Sequence, residues 1–328
     1  NLFGEIEKIS VKNNIKVLLF IDGPPVLLLS VNEISKLRRT FVISMFFGDI
    51  FAHFHSLYKY YAQSVDIALV DEAIEVGSFQ KFCPEVIFVP YSYEIDYDLE
   101  PTISTIPTLS FVGRTDRRNR SRYLNICTEY AEVKIFGVGS EGGPLSDLEM
   151  KQVFNSSLIN LNFTGVQEDQ PFIHSRPIDN ITRSPKGRCQ EIGMCGGFVL
   201  SEYAPGIDQM FSVGDDMDVF HDEKELREKL EFYLKNPQLI MEMAKRHRTN
   251  CHKNYSIEQV WNSTIEKISN AKVQRFEAEY FIDDILKIAE SRSWVAYLKP
   301  ILERRSISDI FIYLRKFGWM NSLRFSRI

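Results

Sequence analysis

The residues of this sequence best suited to chemistry lie between positions 186 and 202, where an arginine, a glutamate and two glycines follow one another closely. Arg188 and Glu191 are three positions apart, so on a helix they share one face. Glu191 can accept hydrogen bonds from two hydroxyl groups, as a ribose diol requires, and Arg188 can offer its planar fork to phosphate oxygens. Gly196 and Gly197 allow close backbone approach at the following turn. The alternative is a surface ion pair on an ordinary helix.

A second chemical segment is rich in arginine and follows a predicted strand that ends at Gly113. Its candidate residues are Arg114, Arg118, Arg120 and Arg122. Guanidinium groups carry a fixed positive charge and can bind anions through several N–H donors. The alternative is a solvated helix start. A glycine-rich loop at 137–143, also after a predicted strand, is a weaker sign of backbone amides that reach a nucleotide.

Three more residues are candidates for proton transfer or substrate contact. Asp22 follows the first predicted strand and Asp49 the second, where residues of a ligand cleft belong. An enzyme that activates a hydroxyl nucleophile needs such a base. His174, in the polar loop 163–186, is our third candidate for a contact with a substrate. The alternative for each aspartate is a role in a turn or a helix cap.

Metal ligation is disfavoured by the spacing of the acidic and sulfur-containing residues. Asp96 and Asp98, like Asp216 and Asp218, superficially match an Asp-x-Asp metal motif, but both pairs lie in predicted loops and we interpret them as decoys. The five cysteines are odd in number and widely spaced, so they predict neither a disulfide framework nor a zinc site. We expect reduced thiols, a cytoplasmic location and no metal cofactor.

The elements that must position these residues alternate between short apolar runs and helical stretches. Strands are predicted at 15–21, 41–45, 66–70, 86–90, 108–112, 133–136, 158–161 and 198–200. Helices are predicted at 50–62, 121–130, 146–155, 188–194 and 257–268, with a further helix opened by a capping box at Asp222 and Glu225. This alternation predicts an α/β chain with two Rossmann-like domains that face each other across a cleft, joined by a linker at 91–107. Ligands of such sheets bind beyond the carboxyl ends of the strands.

The region from residue 271 onward differs, because its pattern is helical throughout. Apolar residues recur on one helix face at Ile307, Ile310, Phe311, Leu314 and Phe317. Most of the charged residues from position 304 onward are arginine or lysine. Two interpretations stay open. The tail packs back on the N-terminal domain with a solvated basic edge, or it makes a peripheral contact with an anionic membrane surface.

Length and charge exclude several classes of protein. The chain has 328 residues, which is typical of about two domains. Its 39 Lys and Arg against 44 Asp and Glu give a formal charge of −5. A global basic field for nucleic acid is therefore absent, and we expect no nucleic-acid partner. No apolar run approaches the roughly 20 residues that a membrane-spanning helix needs.

The run that begins at Lys186 resembles the carboxyl-terminal domain of CgeB-like glycosyltransferases, which are similar to the large retaining group of GT-B glycosyltransferases. The pattern is Arg188, Glu191, Cys195-Gly196-Gly197, Phe211 with Gly214, and Glu225-Leu226. Upstream, the segments EVIFVPYSYEIDYDLEP and LSFVGRTDRRNRSRYLNI resemble the linker of that family and the opening of its second domain.

The resemblance implies a GT-B fold with an acceptor domain at 1–105, a nucleotide-sugar domain at 106–270 and a helical tail at 271–328. It implies a nucleotide sugar as substrate, with Glu191 on the ribose, and with Arg114 and one of Arg118, Arg120 and Arg122 on the diphosphate. The expected reaction is a metal-independent and retaining transfer of the sugar to a hydroxyl of a glycan, a glycolipid or a protein.

The sequence departs from that family at one position. Retaining relatives carry another glutamate eight positions before the one matched by Glu191, and here that position is Arg183. This leaves the sugar-contacting acid and the stereochemical outcome of the reaction open. The loop residues Glu168, Asp169, His174 and Asp179 are candidates to replace the acid, and His174 is our choice for a contact with a sugar or a phosphate. Two alternative functions also remain: a nucleotide-sugar epimerase of the same fold, and a catalytically silent binding module.

Overall fold

The computed structural model describes residues 2–13, 15–21, 29, 31–48, 50, 54–96, 106–115, 120–165, 183–185 and 187–273. These residues divide into two compact units. The first comprises the described residues up to Val89 and those from Lys267 onward, and the second comprises the described residues between Pro90 and Glu266. Each unit is built around its own parallel sheet.

The first unit contains a four-stranded sheet in the order β1-β2-β3-β4, with every neighbouring pair parallel. Its elements are α1 (Leu2–Lys12), β1 (Val17–Phe20), α2 (Val31–Leu37), β2 (Val42–Phe47), a π-helical turn (Phe54–Tyr58), α3 (Lys59–Ala62), β3 (Ile67–Val70), a 3-10 turn (Ala73–Glu75), α4 (Val76–Phe79) and β4 (Glu85–Phe88).

The β-branched and apolar residues of the central strands explain why this sheet is buried. All four residues of β3 are buried, as expected for a parallel strand covered on both faces. An ion pair secures the start of that strand, since Arg38 Nε donates to Asp66 Oδ1 at 2.7 Å. The other carboxylate oxygen of Asp66 accepts from the amide of Ile43 at 2.9 Å, which ties β3 to β2.

The second unit contains a five-stranded parallel sheet in the order β6-β5-β7-β8-β9. Its strands are β5 (Thr108–Val112), β6 (Glu132–Phe136), β7 (Ile159–Asn162), β8 (Val199–Glu202) and β9 (Asp218–Phe220). The chain moves from β5 outward to β6 and then returns past β5 to β7. The carboxyl ends of β5 and β7 therefore flank the switch point of the sheet, where α/β proteins bind their ligands.

Helices cover both faces of this second sheet. They are α5 (Arg120–Thr128), α6 (Asp147–Ser156), α7 (Arg188–Met194), α8 (Ile207–Met210), α9 (Glu223–Lys235), α10 (Pro237–Asn254) and α11 (Ile257–Asn270). Successive residues of β8 point to opposite faces, so Val199 joins the apolar cluster around α7 while Leu200 joins the cluster around α5 and α9. The result is a three-layer unit with two hydrophobic cores.

The sequence predicted this α/β architecture, and the two parallel sheets flanked by helices confirm it. Helix 188–194 forms with the predicted bounds, and the eight predicted strands form within two residues or less at most ends. Six of the described elements were not predicted: α1, α2, the 3-10 turn, α4, α8 and the short edge strand β9. Three of them are very short, since β9 has three residues and α4 and α8 have four residues each.

Two local predictions need correction. Residues 91–96 of the expected linker belong to the second unit, where Tyr93 forms a β-bridge with Ser256. Asp222 does cap α9 by accepting from the Glu225 amide at 2.9 Å, but the Glu225 carboxylate accepts from the amide of His221 rather than that of Asp222. The complete capping box lies instead at Ser146 and Glu149, at the start of α6. The predicted helices beyond residue 273 lie outside the described residues.

Candidate functional site

The Arg188–Glu191 pair forms on the first turn of α7, as its spacing predicts. Arg188 Nη1 donates to Glu191 Oε2. The two side chains are 26% and 19% exposed, so both reach the surface while most of their area is shielded from water. A carboxylate and a guanidinium thus stand side by side, which is the arrangement needed to accept hydroxyl hydrogen bonds and to bind an anion at one place.

Burial dominates the proton affinity of Glu191. The loss of solvent raises the pKa of this carboxyl group, the positive charge of Arg188 lowers it, and the negative charge of Asp147 raises it again. Electrostatic interactions are stronger in such a partly desolvated position than in bulk water. A hydroxyl hydrogen bond to Glu191 is therefore worth more than the same bond at the open surface.

Helix α6 supports the pair from one side. The Arg188 guanidinium carbon lies 5.3 Å from the centre of the Phe154 ring, and Arg188 Nη1 lies 3.1 Å from the sulfur of Met150. Asn155 Nδ2 donates to the carbonyl of Cys195 at 3.1 Å and so holds the other end of α7. Helix α6 therefore contacts α7 at both ends.

Polar residues on β7 fix these helices to the sheet, and they were not predicted as part of the site. Asn160 Nδ2 donates to the carbonyl of Phe154 at 3.0 Å, at the end of α6. Asn162 Nδ2 donates to Ser201 Oγ at 2.9 Å and lies 3.4 Å from Cys189 Sγ on α7. The sequence carries a signal for this, since asparagines at alternate positions of a buried strand must find partners inside the protein.

The two glycines after α7 serve the packing of the helix on the sheet. Gly196 has a φ of +79°, a left-handed conformation that ends the helix. A Cβ on Gly197 would lie 2.6 Å from Asn160 Nδ2 and 2.6 Å from the carbonyl oxygen of Phe154. Both glycines are buried, and their surroundings are other residues of the second unit.

The predicted arginine cluster is divided among different tasks. Arg120 is 8% exposed, and its guanidinium donates to the carbonyls of Arg114 at 2.8 Å and Phe163 at 3.3 Å. It therefore connects the loops that follow β5 and β7. Arg122 is largely exposed and pairs with Glu223 at the start of α9.

Gly113 and Arg114 follow β5 directly, at the switch point of the sheet. Arg114 is exposed, whereas Arg118 lies outside the described residues. Gly113 approaches the glycine-rich loop so closely that a Cβ on Gly137 would lie 2.5 Å from the Gly113 carbonyl oxygen. Gly137 has a φ of +123°, so this contact and the turn both require glycine. The loops after β5 and β6 are thus held together beside Arg114.

Glu202, at the carboxyl end of β8, is a second buried acid that the sequence analysis missed. It accepts from the backbone amides of Thr164 at 2.9 Å and Gly165 at 3.1 Å and pairs with Arg183 Nε at 2.7 Å. The hydroxyl of Tyr123 also donates to it at 3.4 Å. Arg183 occupies the position of the glutamate expected from the family resemblance. It pairs with a carboxylate that also accepts hydrogen bonds from the amides of Thr164 and Gly165.

The structure brings together only part of the predicted site. Asp22, Asp49 and His174 lie outside the described residues. The aspartates of the Asp216/Asp218 motif have different partners: Asp216 accepts from Asn250, and Asp218 pairs with Lys229 and accepts from Tyr233. The preceding Asp215 pairs with Arg246. Within the described ranges, no group of three or more His, Cys, Asp or Glu residues is arranged to hold a metal ion.

Comparisons with known proteins place this geometry in context. Residues 116–266 match a family model described as "Glycosyl transferase-like". Sucrose-phosphate synthase from Thermosynechococcus elongatus is similar in structure, with a TM-score of 0.58, 10% identity, and coverage of 82% of this chain and 77% of that one. The Anabaena protein HepE in complex with UDP gives a TM-score of 0.59 at 9% identity, with 82% of each chain covered.

A glycosyltransferase from Rickettsia africae is also similar, with a TM-score of 0.56, 11% identity, and coverage of 82% of this chain and 80% of that one. The chain has the GT-B fold. No curated protein sequence matches the chain. In this GT-B chain, nearly all of the region that matches the glycosyl transferase-like family model lies in the second unit, which begins earlier, at Pro90.

Several candidate residues of the second unit lie in the loops that follow its strands. Gly113 and Arg114 follow β5, and Thr164 and Gly165 follow β7, so both groups lie at the carboxyl edge of the second sheet.

No helix in the part of the chain that the structure describes is long and apolar enough to cross a bilayer.

Proposed function

We propose that this protein is a glycosyltransferase that moves a sugar from a nucleoside diphosphate donor to a hydroxyl group of a glycan, a glycolipid or a protein. The observation that carries the proposal is the partly buried Arg188–Glu191 pair on the first turn of α7. It lies within the region that matches the glycosyl transferase-like family. Similar structures of HepE contain UDP, UDP-glucose, or UDP together with glucose.

Each charged residue of the pair has a role in this proposal. Glu191 accepts hydrogen bonds from the two ribose hydroxyls, and Arg188 binds a phosphate oxygen. Arg114 is the second cation for the diphosphate, because it is exposed beside Gly113 at the end of β5. Arg120 holds the Arg114 carbonyl and so supports that loop from within. Positive charge at the leaving diphosphate stabilises the transition state as the glycosidic bond to phosphate breaks.

The proposed reaction does not depend on a metal and retains the configuration at the anomeric carbon. Arginine guanidinium groups supply the charge stabilisation that a divalent cation supplies elsewhere. In a retaining transfer the leaving phosphate itself can take the proton of the acceptor hydroxyl. The carboxylate of Glu202, at the carboxyl end of β8, already accepts hydrogen bonds from two backbone amides and pairs with Arg183, so we do not assign it the role of the base.

We propose a cytoplasmic location, with a peripheral membrane contact through the basic C-terminal region.

Donor turnover tests this proposal. The full chain is incubated with UDP-, GDP-, CDP- and dTDP-sugars, with and without EDTA and oligosaccharide acceptors, and release of the nucleoside diphosphate is measured. We expect release from one donor class, unchanged by EDTA. We expect roughly a 10- to 100-fold loss in Glu191→Gln, the range for a hydrogen bond to a charged group.

Glu129→Gln is the matched control, because Glu129, just after the end of α5, also pairs with an arginine, Arg227 on α9, but at an exposed site. This variant should keep full turnover. Conversion of the donor to an epimer without release of the diphosphate would favour the epimerase alternative. Absence of any turnover and of any nucleotide binding would contradict the proposal and favour a silent binding module.

A further inference from the structure

The segment that precedes the second sheet is joined to the helices of the second unit by backbone hydrogen bonds. The amide of Tyr93 donates to the carbonyl of Tyr255 at 3.0 Å, and the amide of Ile257 donates to the carbonyl of Tyr93 at 3.1 Å. These bonds place Tyr93 at the junction between α10 and α11. The backbone at this position is therefore fixed on both sides.

The side chain of Tyr93 continues from this junction to the start of α7. Its hydroxyl donates to the carbonyl oxygen of Gly187 at 3.0 Å. The same carbonyl oxygen accepts from the amide of Glu191 at 3.0 Å, which is the first hydrogen bond within α7. A single acceptor atom thus connects the Tyr93 phenol to the backbone of the residue that carries the candidate ribose carboxylate.

The close packing at Gly187 makes this connection rigid. A Cβ on Gly187 would lie 2.6 Å from the Tyr93 hydroxyl oxygen and 2.8 Å from Cγ of Tyr91. Real Cβ atoms do not approach other atoms so closely, so any larger residue must displace the tyrosines or the helix. The two aromatic side chains therefore hold the backbone from which Arg188 and Glu191 project.

The phenol keeps its proton in this environment. Burial raises the pKa of Tyr93, and the nearby charge of Glu191 raises it further, while Arg188 opposes both effects. The hydroxyl therefore keeps its proton at neutral pH and donates a hydrogen bond to the Gly187 carbonyl.

We propose that Tyr93 is a positioning residue for recognition of the donor ribose. It acts through the Gly187 carbonyl to hold the first turn of α7 so that Glu191 meets the ribose hydroxyls. The inference rests on the proposed function, since it assigns Glu191 to the ribose. Its consequence is that loss of one hydroxyl group, at a residue that does not touch the nucleotide, weakens the preference for ribose over deoxyribose.

The test compares Tyr93→Phe with the wild-type full chain by calorimetric titration with UDP, GDP and CDP and with their 2′-deoxy analogues. Tyr61→Phe is the matched control, because Tyr61 also donates to a backbone carbonyl, that of Leu29, at 3.0 Å, but in the first unit. Both variants lose one hydrogen bond of the same kind, so both should lower the melting temperature. We expect Tyr93→Phe alone to reduce the ribose-to-deoxyribose affinity ratio, by roughly three- to tenfold.

A second variant, Gly187→Ala, should reduce the same ratio more strongly because of the contacts with Tyr91 and Tyr93. An unchanged ratio in Tyr93→Phe would overturn the inference, even if the variant melts at a lower temperature. Wild-type binding without discrimination between ribose and deoxyribose would overturn it as well, and would leave the glycosyltransferase proposal standing. Wild-type protein that binds none of these nucleotides would overturn both.

Discussion

At the scale of single residues, the site depends on a carboxylate and a guanidinium that are neither fully buried nor fully exposed. Full burial of such a pair makes it inaccessible, and full exposure makes it weak. The ring of Phe154 and the sulfur of Met150 cover part of Arg188 and leave the remainder at the surface. Intermediate burial gives Glu191 its raised pKa and gives hydrogen bonds made to it more weight.

A buried histidine is the titrating residue with the clearest consequence for stability. His247 on α10 is fully buried, with its ring 5.3 Å from that of Phe211. Burial lowers its pKa to about 4, and the negative charge of Asp216 opposes this only in part. Because the unfolded chain takes up the proton near pH 6.5, His247 favours unfolding as the pH falls from about 6.5 toward 4.

We therefore expect the free energy of unfolding to fall by about 2 kcal/mol between pH 7.5 and 5 from this residue alone. His247→Gln should lose that part of the pH dependence, as measured by urea unfolding at the two pH values. Equal slopes in wild type and His247→Gln would show that another group causes the loss at low pH.

At the scale of elements, α7 is positioned by close contacts on several sides. Helix α6 contacts it through Asn155, the sheet through Asn162, and α10 through the side chains of His247 and Cys251. The last contact requires a glycine on α7, because a Cβ on Gly193 would overlap Cys251 Sγ and would lie 2.8 Å from His247 Nε2. The orientation of the site therefore depends on helix packing as much as on the site residues.

Gly193→Ala tests this packing. We expect it to destabilise the protein by about 1–3 kcal/mol, the usual cost of an overpacked core, even though alanine favours a helix. Gly77→Ala is the matched control, since no atom lies within 4 Å of a Cβ at that helical position, and it should be neutral or stabilising.

The double variant Gly193→Ala with Cys251→Ala makes room for the new methyl group. Its loss of stability, measured by denaturant unfolding, should be smaller than the sum of the two single losses. Additive losses would contradict the close contact between α7 and α10.

The sequence predicted the elements better than the contacts between them. Arg188 and Glu191 could be found because their partners are three positions apart, and apolar runs gave most of the strands. The contact between Tyr93 and Gly187 spans 94 positions, and the role of Glu202 depends on amides that lie 37 and 38 positions away. Such pairings depend on the register of helices on a sheet, which residue patterns do not encode.

The arginine segment shows the same limit. Its composition indicates anion binding, yet the guanidinium of Arg120 is used for the backbone carbonyls of two loops. A segment of similar arginines thus contains both structural and candidate binding residues. Only the sheet topology distinguishes them, since Arg114 follows β5 directly while Arg122 faces the start of α9.

At the scale of the whole molecule, chemistry and family similarity both point to the second unit. It contains the Arg188–Glu191 pair, the glycine-rich loop and the region that matches the glycosyl transferase-like model. The net charge of −5 excludes a general attraction for polyanions, so binding of a nucleotide must come from local groups. The central claim is therefore that the full chain binds a nucleoside diphosphate through Glu191.

Isothermal titration of the full chain with UDP, GDP, CDP and dTDP tests that claim most directly, with Glu191→Gln and the control Glu129→Gln measured in parallel. We expect one diphosphate to bind the wild type and Glu129→Gln equally, and to bind Glu191→Gln roughly 10- to 100-fold more weakly. Equal affinity of the wild type and Glu191→Gln, or no binding of any of the four, would contradict the account.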